Sequence, residues 1–155
     1  MFQGAQLQKR DGSLVSAETA LAGIPRVALY FSAHWCPPCR KFTPSLKEFY
    51  EEVNDQNKQI EIVFVSSDKS DGALSEYFSE MGDWLCVPFG NESLREELRD
   101  RFGKKVDANT GELSRSGIPC MAVIDWETEK VVTYEGVGDV TAMGSMAPEM
   151  KWINT

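Results

Sequence analysis

The chain has 155 residues, of which 42% are hydrophobic and 26% are charged, a composition that suits one soluble domain with its own core. No apolar run reaches the ~20 residues of a bilayer span, so we expect no membrane partner. The net charge of -8 argues against nucleic acid as a partner, because nucleic-acid binding depends on Lys and Arg that neutralise phosphates.

Two short segments separated by a turn open the chain. Asp11-Gly12 is a turn signal, and a helical pattern begins after Ser16 in residues 17–21. The apolar run at residues 27–31 then predicts a buried strand. The chain therefore begins with a modest cap and continues into a first core strand.

The next segment is the most informative of the chain: Trp35-Cys36-Pro37-Pro38-Cys39. Apolar residues recur at helical spacing from Phe42 to Val53, so Cys36 lies at a strand-to-helix turn. The unpaired N–H groups and the peptide dipoles at a helix N-terminus favour an anion such as a thiolate. Pro37 suits the first helical turn because its missing N–H would be unpaired there, and the proline pair stiffens the ring between the sulfurs.

Position along the helix assigns a role to each thiol. Cys36, before the helix, can be exposed and attack a partner disulfide as the nucleophile, while Cys39, one turn inside, can resolve the mixed disulfide. A permanent disulfide would constrain the unfolded chain little across three residues. A zinc site normally needs a second Cys or His pair, which the sequence lacks. The motif therefore favours a redox-active Cys36–Cys39 disulfide, with no bound cofactor and no metal.

The middle of the chain alternates strand and helix patterns. Residues 60–65 predict a central strand parallel to strand 27–32, joined to it by the helix in a right-handed βαβ unit. Residues 72–81 show helical spacing and precede an apolar cluster at 84–89. A further helix, marked by Leu94, Leu98 and Phe102, stops at Gly103.

The last third contains one long irregular stretch and a hairpin. Residues 104–117 carry turn-forming residues without a period and predict a long loop. Residues 120–125 and 131–134 predict a strand hairpin, which makes the sheet mixed. The tail at 138–155 predicts no element. We expect a single domain over residues 1–155.

Three features together resemble the thioredoxin fold: the Trp-Cys-x-x-Cys turn, Pro44 five positions after Cys39, and the Ile118-Pro119 pair that opens a later strand. Residues 30–44 and 84–89 are similar to the tryparedoxin and nucleoredoxin branch of that family. The resemblance implies an α/β class, thioredoxin-like three-layer fold, a central mixed sheet flanked by helices. It also implies a thiol-disulfide oxidoreductase.

The same resemblance implies roles for residues around the cysteines. Pro119 would follow a cis peptide bond and lie against the redox pair, with the backbone before it available to a partner. Substrate contacts would come from Trp35, Pro37, Pro38, Ile118 and Pro119. The partners would be protein disulfides such as those of peroxidases, with a low-molecular-weight dithiol or a reductase as electron donor.

Two positions depart from the family pattern. Tyr30 stands where thioredoxins carry a buried Asp that helps proton transfer, so a different proton route is required. The segment Ser67-Asp68-Lys69 stands where tryparedoxins carry Trp-Asp-Glu, which helps to receive the cationic dithiol trypanothione. Replacing Glu by Lys turns attraction for an ammonium group into repulsion, which argues against trypanothione specificity.

Several residues near the motif have more than one interpretation. Residues 104–117 form either a tolerated surface insertion or a partner-selecting lip. Cys120 is either a buried strand cysteine, the interpretation we favour, or a third redox thiol or metal ligand within reach of the site. Cys86 lies in an apolar cluster and is assigned to the core. His34 and Arg40 are candidate modulators of Cys36.

Two other functions compete with disulfide reduction. One is a nucleoredoxin-like protein that binds partners in a redox-dependent way, and the other is a metal site built from Cys36, Cys39 and Cys120. Four cysteines are too few for a disulfide framework at this length, and residues 1–6 lack a signal-peptide pattern. We therefore expect a reducing compartment, with the cytoplasm as the default location.

Overall fold

The structure, a computed structural model, describes residues 2–143. It begins with the antiparallel strands β1 (Gln6–Gln8) and β2 (Leu14–Ser16), which are joined through the predicted turn at Asp11-Gly12. Helix α1 (Ala17–Ala20) follows at once, because the Ser16 side chain caps it by accepting a hydrogen bond from the N–H of Thr19. The turn at Asp11-Gly12 and the helix predicted after Ser16 are both confirmed.

The centre of the fold is the predicted βαβ unit. Strand β3 (Arg26–Ser32) and strand β4 (Ile60–Ser66) are parallel and paired along their whole length, and helix α2 (Pro37–Val53) connects them. Every residue of both strands is buried, which explains why both segments are almost wholly apolar in sequence. Pro44 lies inside α2, as the resemblance implies.

The next elements also follow the predicted pattern. Helix α3 (Asp71–Ser79) is followed by the two-residue strand β5 (Leu85–Cys86) within the apolar cluster. Helix α4 (Glu92–Phe102) ends at Gly103, as predicted.

Residues 104–117 are not the predicted long loop. They form a separate two-stranded antiparallel sheet of β6 (Lys104–Val106) and β7 (Leu113–Arg115), which we call the β6–β7 hairpin. Its turn is held by the Asp107 carboxylate, which accepts hydrogen bonds from two backbone N–H groups at 2.8 Å. Both strands are three residues long and almost entirely exposed, so they show no alternation of buried and exposed positions to reveal them in sequence.

The last described elements complete the sheet. Strands β8 (Cys120–Asp125) and β9 (Lys130–Thr133) form the predicted hairpin. Helix α5 (Gly136–Met143) includes the start of the stretch for which the sequence predicts no element, and residues 144–155 lie outside the described residues. Tertiary packing explains this helix better than its composition does, because Val140 is buried in the core.

The sheet has seven strands in the order β2-β1-β5-β4-β3-β8-β9, with parallel and antiparallel pairs. Side chains of α2 and α3 pack in the core on one face, and those of α1 and α4 pack in the core on the other. This is the three-layer α/β arrangement that the resemblance implies. Within residues 2–143, no helix combines the length and apolar character needed to cross a bilayer.

Candidate active site

Cys36 occupies the N-cap position of α2, at the edge of the sheet where the parallel strands β3 and β4 end. Its own N–H donates to the carbonyl oxygen of Ala33 at 3.2 Å, which closes the turn between strand and helix. Pro37 and Pro38 fill the first two helical positions and are exposed. The predicted strand-to-helix placement of Cys36 is confirmed.

The two thiols share one small apolar cluster. Cys36 and Cys39 pack with Ala33, and the half-buried Ile118 lies against them. Both cysteines are free thiols, and Cys39 is fully buried. Cys36 is only 5% exposed, so the expectation of an exposed nucleophile is wrong, because Ile118 and the surrounding turn cover it. Access to the Cys36 thiol is therefore narrow.

The turn before β8 lies directly beside Cys36. The peptide bond between Ile118 and Pro119 is cis, as the resemblance implies. The Cys36 thiol donates a weak hydrogen bond to the carbonyl oxygen of Ile118 at 3.8 Å. The structure thus places Ile118 against the two cysteines, and Pro119 follows it in the same turn.

The end of β4 holds the turn that carries the motif. The indole Nε1 of Trp35 donates to the carbonyl oxygen of Ser67 at 3.1 Å, while the residue as a whole is 56% exposed. The N–H of His34 donates to a carboxylate oxygen of Asp68 at 2.8 Å. Asp68 is buried, and its other oxygen accepts a 2.8 Å hydrogen bond from the Ser66 hydroxyl. In the sequence Asp68 stands out only as part of the segment 67–69, so this positioning contact is not predicted.

Beneath the cysteines lies a chain of buried hydroxyl groups. The Thr43 hydroxyl forms hydrogen bonds with the hydroxyl of Tyr30 at 2.9 Å and with that of Tyr77 at 2.7 Å. The Tyr77 hydroxyl also forms a 2.7 Å hydrogen bond with the hydroxyl of Ser32. The Thr43 hydroxyl also donates a hydrogen bond to the backbone carbonyl oxygen of Cys39 at 3.0 Å. Only Tyr30 is singled out from the sequence. Thr43 could have been found as the residue one helical turn after Cys39, whereas Tyr77 comes from α3 and gives no local signal.

Burial dominates the protonation behaviour of this region. Burial, and after it the interaction with Cys36, raises the pKa of Cys39 to about 11, although the nearby Ser32 hydroxyl acts in the opposite direction. Burial also raises the pKa of Tyr30 and of Tyr77. The tyrosines therefore stay neutral near pH 7, and the chain acts through hydrogen bonds and not through charge.

The remaining candidate residues, which are His34, Arg40 and Cys120, do not all lie near Cys36 and Cys39. The half-buried His34 ring has its centroid 5.7 Å from that of Tyr77, and Arg40 is exposed on α2. Cys120 is not brought to the redox pair: it is buried in the core on the α4 side, and its thiol donates to the carbonyl of Lys104 at 3.7 Å.

Burial raises the pKa of Cys120, and the same cause raises that of Cys86. Both thiols are thus held in the neutral form. Among residues 2–143, no group of three or more His, Cys, Asp or Glu side chains could hold a metal ion. The structure gives no support to a site built from Cys36, Cys39 and Cys120.

Comparison with known proteins identifies the family. A family model described as thioredoxin-like matches residues 26–131. The chain belongs to the thioredoxin-like family. It is 41% identical to nucleoredoxin of Bos taurus over 136 residues, which are 88% of this chain and 28% of that protein. It is 40% identical to tryparedoxin of Trypanosoma brucei brucei over 105 residues, which are 62% of this chain and 72% of that protein.

Solved structures agree with this family. Thioredoxin from Wuchereria bancrofti is 42% identical with a TM-score of 0.78, and the match covers 99% of this chain and 96% of that one. Tryparedoxin I from Leishmania major is 31% identical with a TM-score of 0.78, covering 96% and 92%. The chain spans a little over a quarter of the length of the nucleoredoxins it matches. It is a thioredoxin-fold protein related to nucleoredoxins and tryparedoxins, in a family of thiol-disulfide oxidoreductases.

Proposed function

We propose that this protein is a thiol-disulfide oxidoreductase that reduces disulfides of partner proteins through a Cys36–Cys39 dithiol-disulfide cycle. One observation carries the proposal. Two free thiols share an apolar cluster at the N-terminus of α2, with the nearly covered Cys36 beside the carbonyl oxygen of Ile118. A pair in this position is suited to attack by one thiol and resolution by the other.

The cycle has two steps. The Cys36 thiolate attacks one sulfur of a partner disulfide, and the other partner sulfur leaves as a thiolate that takes up a proton. Cys39 then loses its proton and attacks the Cys36 sulfur, which forms the Cys36–Cys39 disulfide and releases the second partner sulfur. Two electrons pass to the partner. A dithiol or a protein reductase returns the pair to the thiol form.

The partners would be proteins with accessible disulfides, such as peroxidases, in the reducing cytoplasm. One tryparedoxin II structure among the neighbours is complexed with glutathionylspermidine. In this chain Lys69 is exposed two residues after Ser67, whose carbonyl holds Trp35. A cation there repels an ammonium group on an incoming thiol. The proposed donor is therefore a dithiol without such a cation, or a reductase.

Reduction of insulin disulfides with dithiothreitol as donor tests this function. The wild type should accelerate insulin reduction, and Cys36→Ser should abolish the acceleration. Cys120→Ala is the matched control, because it also removes a buried thiol but lies in the other core. A wild-type rate equal to that of Cys36→Ser overturns the proposal.

A second candidate is a redox-dependent binding protein like the related nucleoredoxins. The observation in its favour is Trp35, which is 56% exposed next to a Cys36 that is almost closed to solvent. An exposed aromatic side chain of this kind is suited to partner contact. Negligible insulin turnover, together with a partner held by the reduced form and released by the oxidised form, would favour this function.

A further inference from the structure

The β6–β7 hairpin joins α4 to the turn that covers Cys36. It begins directly after Gly103, the C-cap of α4, and its last strand residue, Arg115, comes shortly before Ile118. The two ends of the hairpin meet, because the N–H of Ser116 donates to the carbonyl oxygen of Gly103 at 2.9 Å. Any group that fixes Ser116 therefore acts close to the Ile118 side chain, which lies against the two cysteines.

Arg99 on α4 binds both ends of the hairpin with one side chain. Its Nη1 donates to the carbonyl oxygen of Gly103 at 3.0 Å, and its Nη2 donates to that of Ser116 at 2.7 Å. The guanidinium carries its donors in a rigid planar fork, so the two contacts fix the positions of both carbonyl groups. Its central carbon also lies 5.7 Å from the centre of the Phe31 ring on β3. The half-buried Arg99 thus ties α4, the hairpin and the central sheet together.

Gly103 leaves room for this guanidinium. A Cβ atom at this position would overlap Nη1 of Arg99 and would lie 2.6 Å from the Arg99 carbonyl oxygen. The φ of Gly103 is -78°, which is open to any residue, so the close approach of Arg99 is what calls for glycine here. The backbone at the end of α4 is therefore shaped around the Arg99 side chain.

The turn that carries Ile118 depends on restraints at its two ends. Residues 116–119 lie between β7 and β8 and belong to neither strand, and Gly117 is exposed and has no side chain to pack. At one end the turn enters β8, whose first residue, Cys120, pairs with Phe31 of β3. At the other end Arg99 and the backbone of Gly103 hold Ser116. The place of Ile118 is therefore set in part by Arg99.

We propose that Arg99 is a positioning residue that holds Ile118 over the Cys36 thiol and so limits access to it. The inference rests on the proposed function, because the thiol that it governs is the proposed nucleophile. Cys36 is only 5% exposed, and its thiol lies 3.8 Å from the Ile118 carbonyl oxygen. Arg99 acts on this contact through Ser116. Loss of the guanidinium should let the turn open more often, which exposes Cys36.

Alkylation of the reduced protein by iodoacetamide measures this access directly. The reagent needs no partner disulfide, and peptide mass spectrometry gives a separate rate for each cysteine. Arg99→Met keeps an unbranched side chain but loses the donors, so its Cys36 rate at neutral pH should rise about threefold to tenfold, the factor for one lost hydrogen bond. Arg99→Lys keeps the charge but not the fork and should show a smaller rise. Cys86, buried in the core on the other face of the sheet, should keep its wild-type rate.

Arg95→Met is the matched control. Arg95 lies one turn earlier on α4 and is also half-buried. It donates to the carbonyl oxygen of Phe89 at 2.7 Å and to that of Ser66 at 3.5 Å. The variant therefore loses the same charge and a similar set of hydrogen bonds, but it leaves the contacts of Ser116 in place. Its Cys36 rate should match that of wild type.

A double variant separates positioning from a general effect on the fold. Ile118→Ala shortens the side chain that covers Cys36 and should raise the Cys36 rate without any change at Arg99. If Arg99 acts through Ile118, adding Arg99→Met to Ile118→Ala should raise that rate by less than about twofold more. A general effect on the fold would instead multiply the two increases.

Four results would overturn the inference. The first is a Cys36 rate equal to that of wild type in both Arg99 variants, and the second is an equal rise at Cys86. The third is an Arg95→Met rate as high as that of Arg99→Met, and the fourth is full multiplication in the double variant. Alkylation reports only access to the thiol, so a wild type that fails to accelerate insulin reduction would sink the proposed function alone.

Discussion

The Cys36 thiol and the Ile118 carbonyl oxygen lie 3.8 Å apart, although the two residues are 82 positions apart in the chain. Cys36 lies at the N-cap of α2, whereas Ile118 lies just before β8, the strand that pairs antiparallel with β3. A partner that reaches the thiol must therefore contact two separate turns at once.

Trp35 is predicted to serve protein substrates and not small ones. The residue is 56% exposed, and its indole N–H donates to the carbonyl oxygen of Ser67 at 3.1 Å. Trp35→Ala should lower kcat/KM for insulin by about tenfold, which corresponds to the loss of roughly one good contact. With the small aromatic disulfide dithiobis(nitrobenzoate), the rate at which Cys36 attack releases the first coloured thiolate should stay within about twofold of wild type. Trp35→Phe is the control that keeps a ring. Equal losses with both substrates would contradict a partner-contact role.

Asp68 is predicted to stabilise the turn that carries the motif. Its buried carboxylate accepts from the His34 N–H and from the Ser66 hydroxyl, both at 2.8 Å. Asp68→Ala leaves a partly buried N–H without its acceptor and should cost about 1–3 kcal/mol in urea unfolding. Asp68→Asn retains an oxygen acceptor and should cost less. An Asp68→Ala variant as stable as wild type would show that the carboxylate contacts are dispensable.

Glu61 is predicted to shape the pH dependence of stability. Burial, the largest cause, raises the pKa of its carboxyl above the ordinary 4.5, although Lys58 lies 3.0 Å away and acts in the opposite direction. Because the pKa is higher in the folded state, the stability it contributes is fully present below the unfolded pKa. That contribution is lost as pH rises through the folded pKa.

Glu61→Gln removes this titration at nearly constant volume. Its free energy of unfolding in urea should therefore fall less than that of wild type as pH rises from about 4.5 to about 7. Glu76→Gln, an equal change in charge on the exposed side of α3, should follow the wild-type curve. If the Glu61→Gln and wild-type curves run parallel, the carboxyl does not govern this dependence.

The β6–β7 hairpin is predicted to select partners. Val106 and Leu113 lie opposite each other in its sheet and are 37% and 50% exposed. Replacing both by Ser should change stability by no more than about 0.5 kcal/mol per site. It should alter the relative rates with several protein disulfides. Deletion of residues 105–114 is the stronger version, and unchanged rates in both variants would mean that the hairpin is a tolerated insertion.

Local patterns account for what the sequence predicts correctly. Strands β3 and β4 are long apolar runs because both are fully buried, and α2 shows its apolar residues at helical spacing. The cysteine motif is equally local, so its place at the N-terminus of α2 follows from the elements on either side. Short exposed strands lack such a pattern, which is why β6 and β7 are missed.

Long-range contacts account for what the sequence analysis misses. The resemblance places Ile118 and Pro119 near the cysteines, but the burial of Cys36 under Ile118 depends on packing between residues 82 positions apart. Tyr77 meets Ser32 across 45 positions, so the hydroxyl chain exists only once α3 has packed against the sheet. The departure at Tyr30 indicates that a different proton route is needed, but its partners depend on the fold.

Trapping of the mixed disulfide tests the central claim most directly. Cys39→Ser, which cannot resolve, should be incubated with an oxidised peptide that contains one disulfide, and the product mapped by peptide mass spectrometry without reduction. We expect one peptide adduct, attached to Cys36, and no adduct in the Cys36→Ser, Cys39→Ser double variant. An adduct on Cys86 or Cys120, or no adduct at all, would contradict the assignment of Cys36 as the nucleophile.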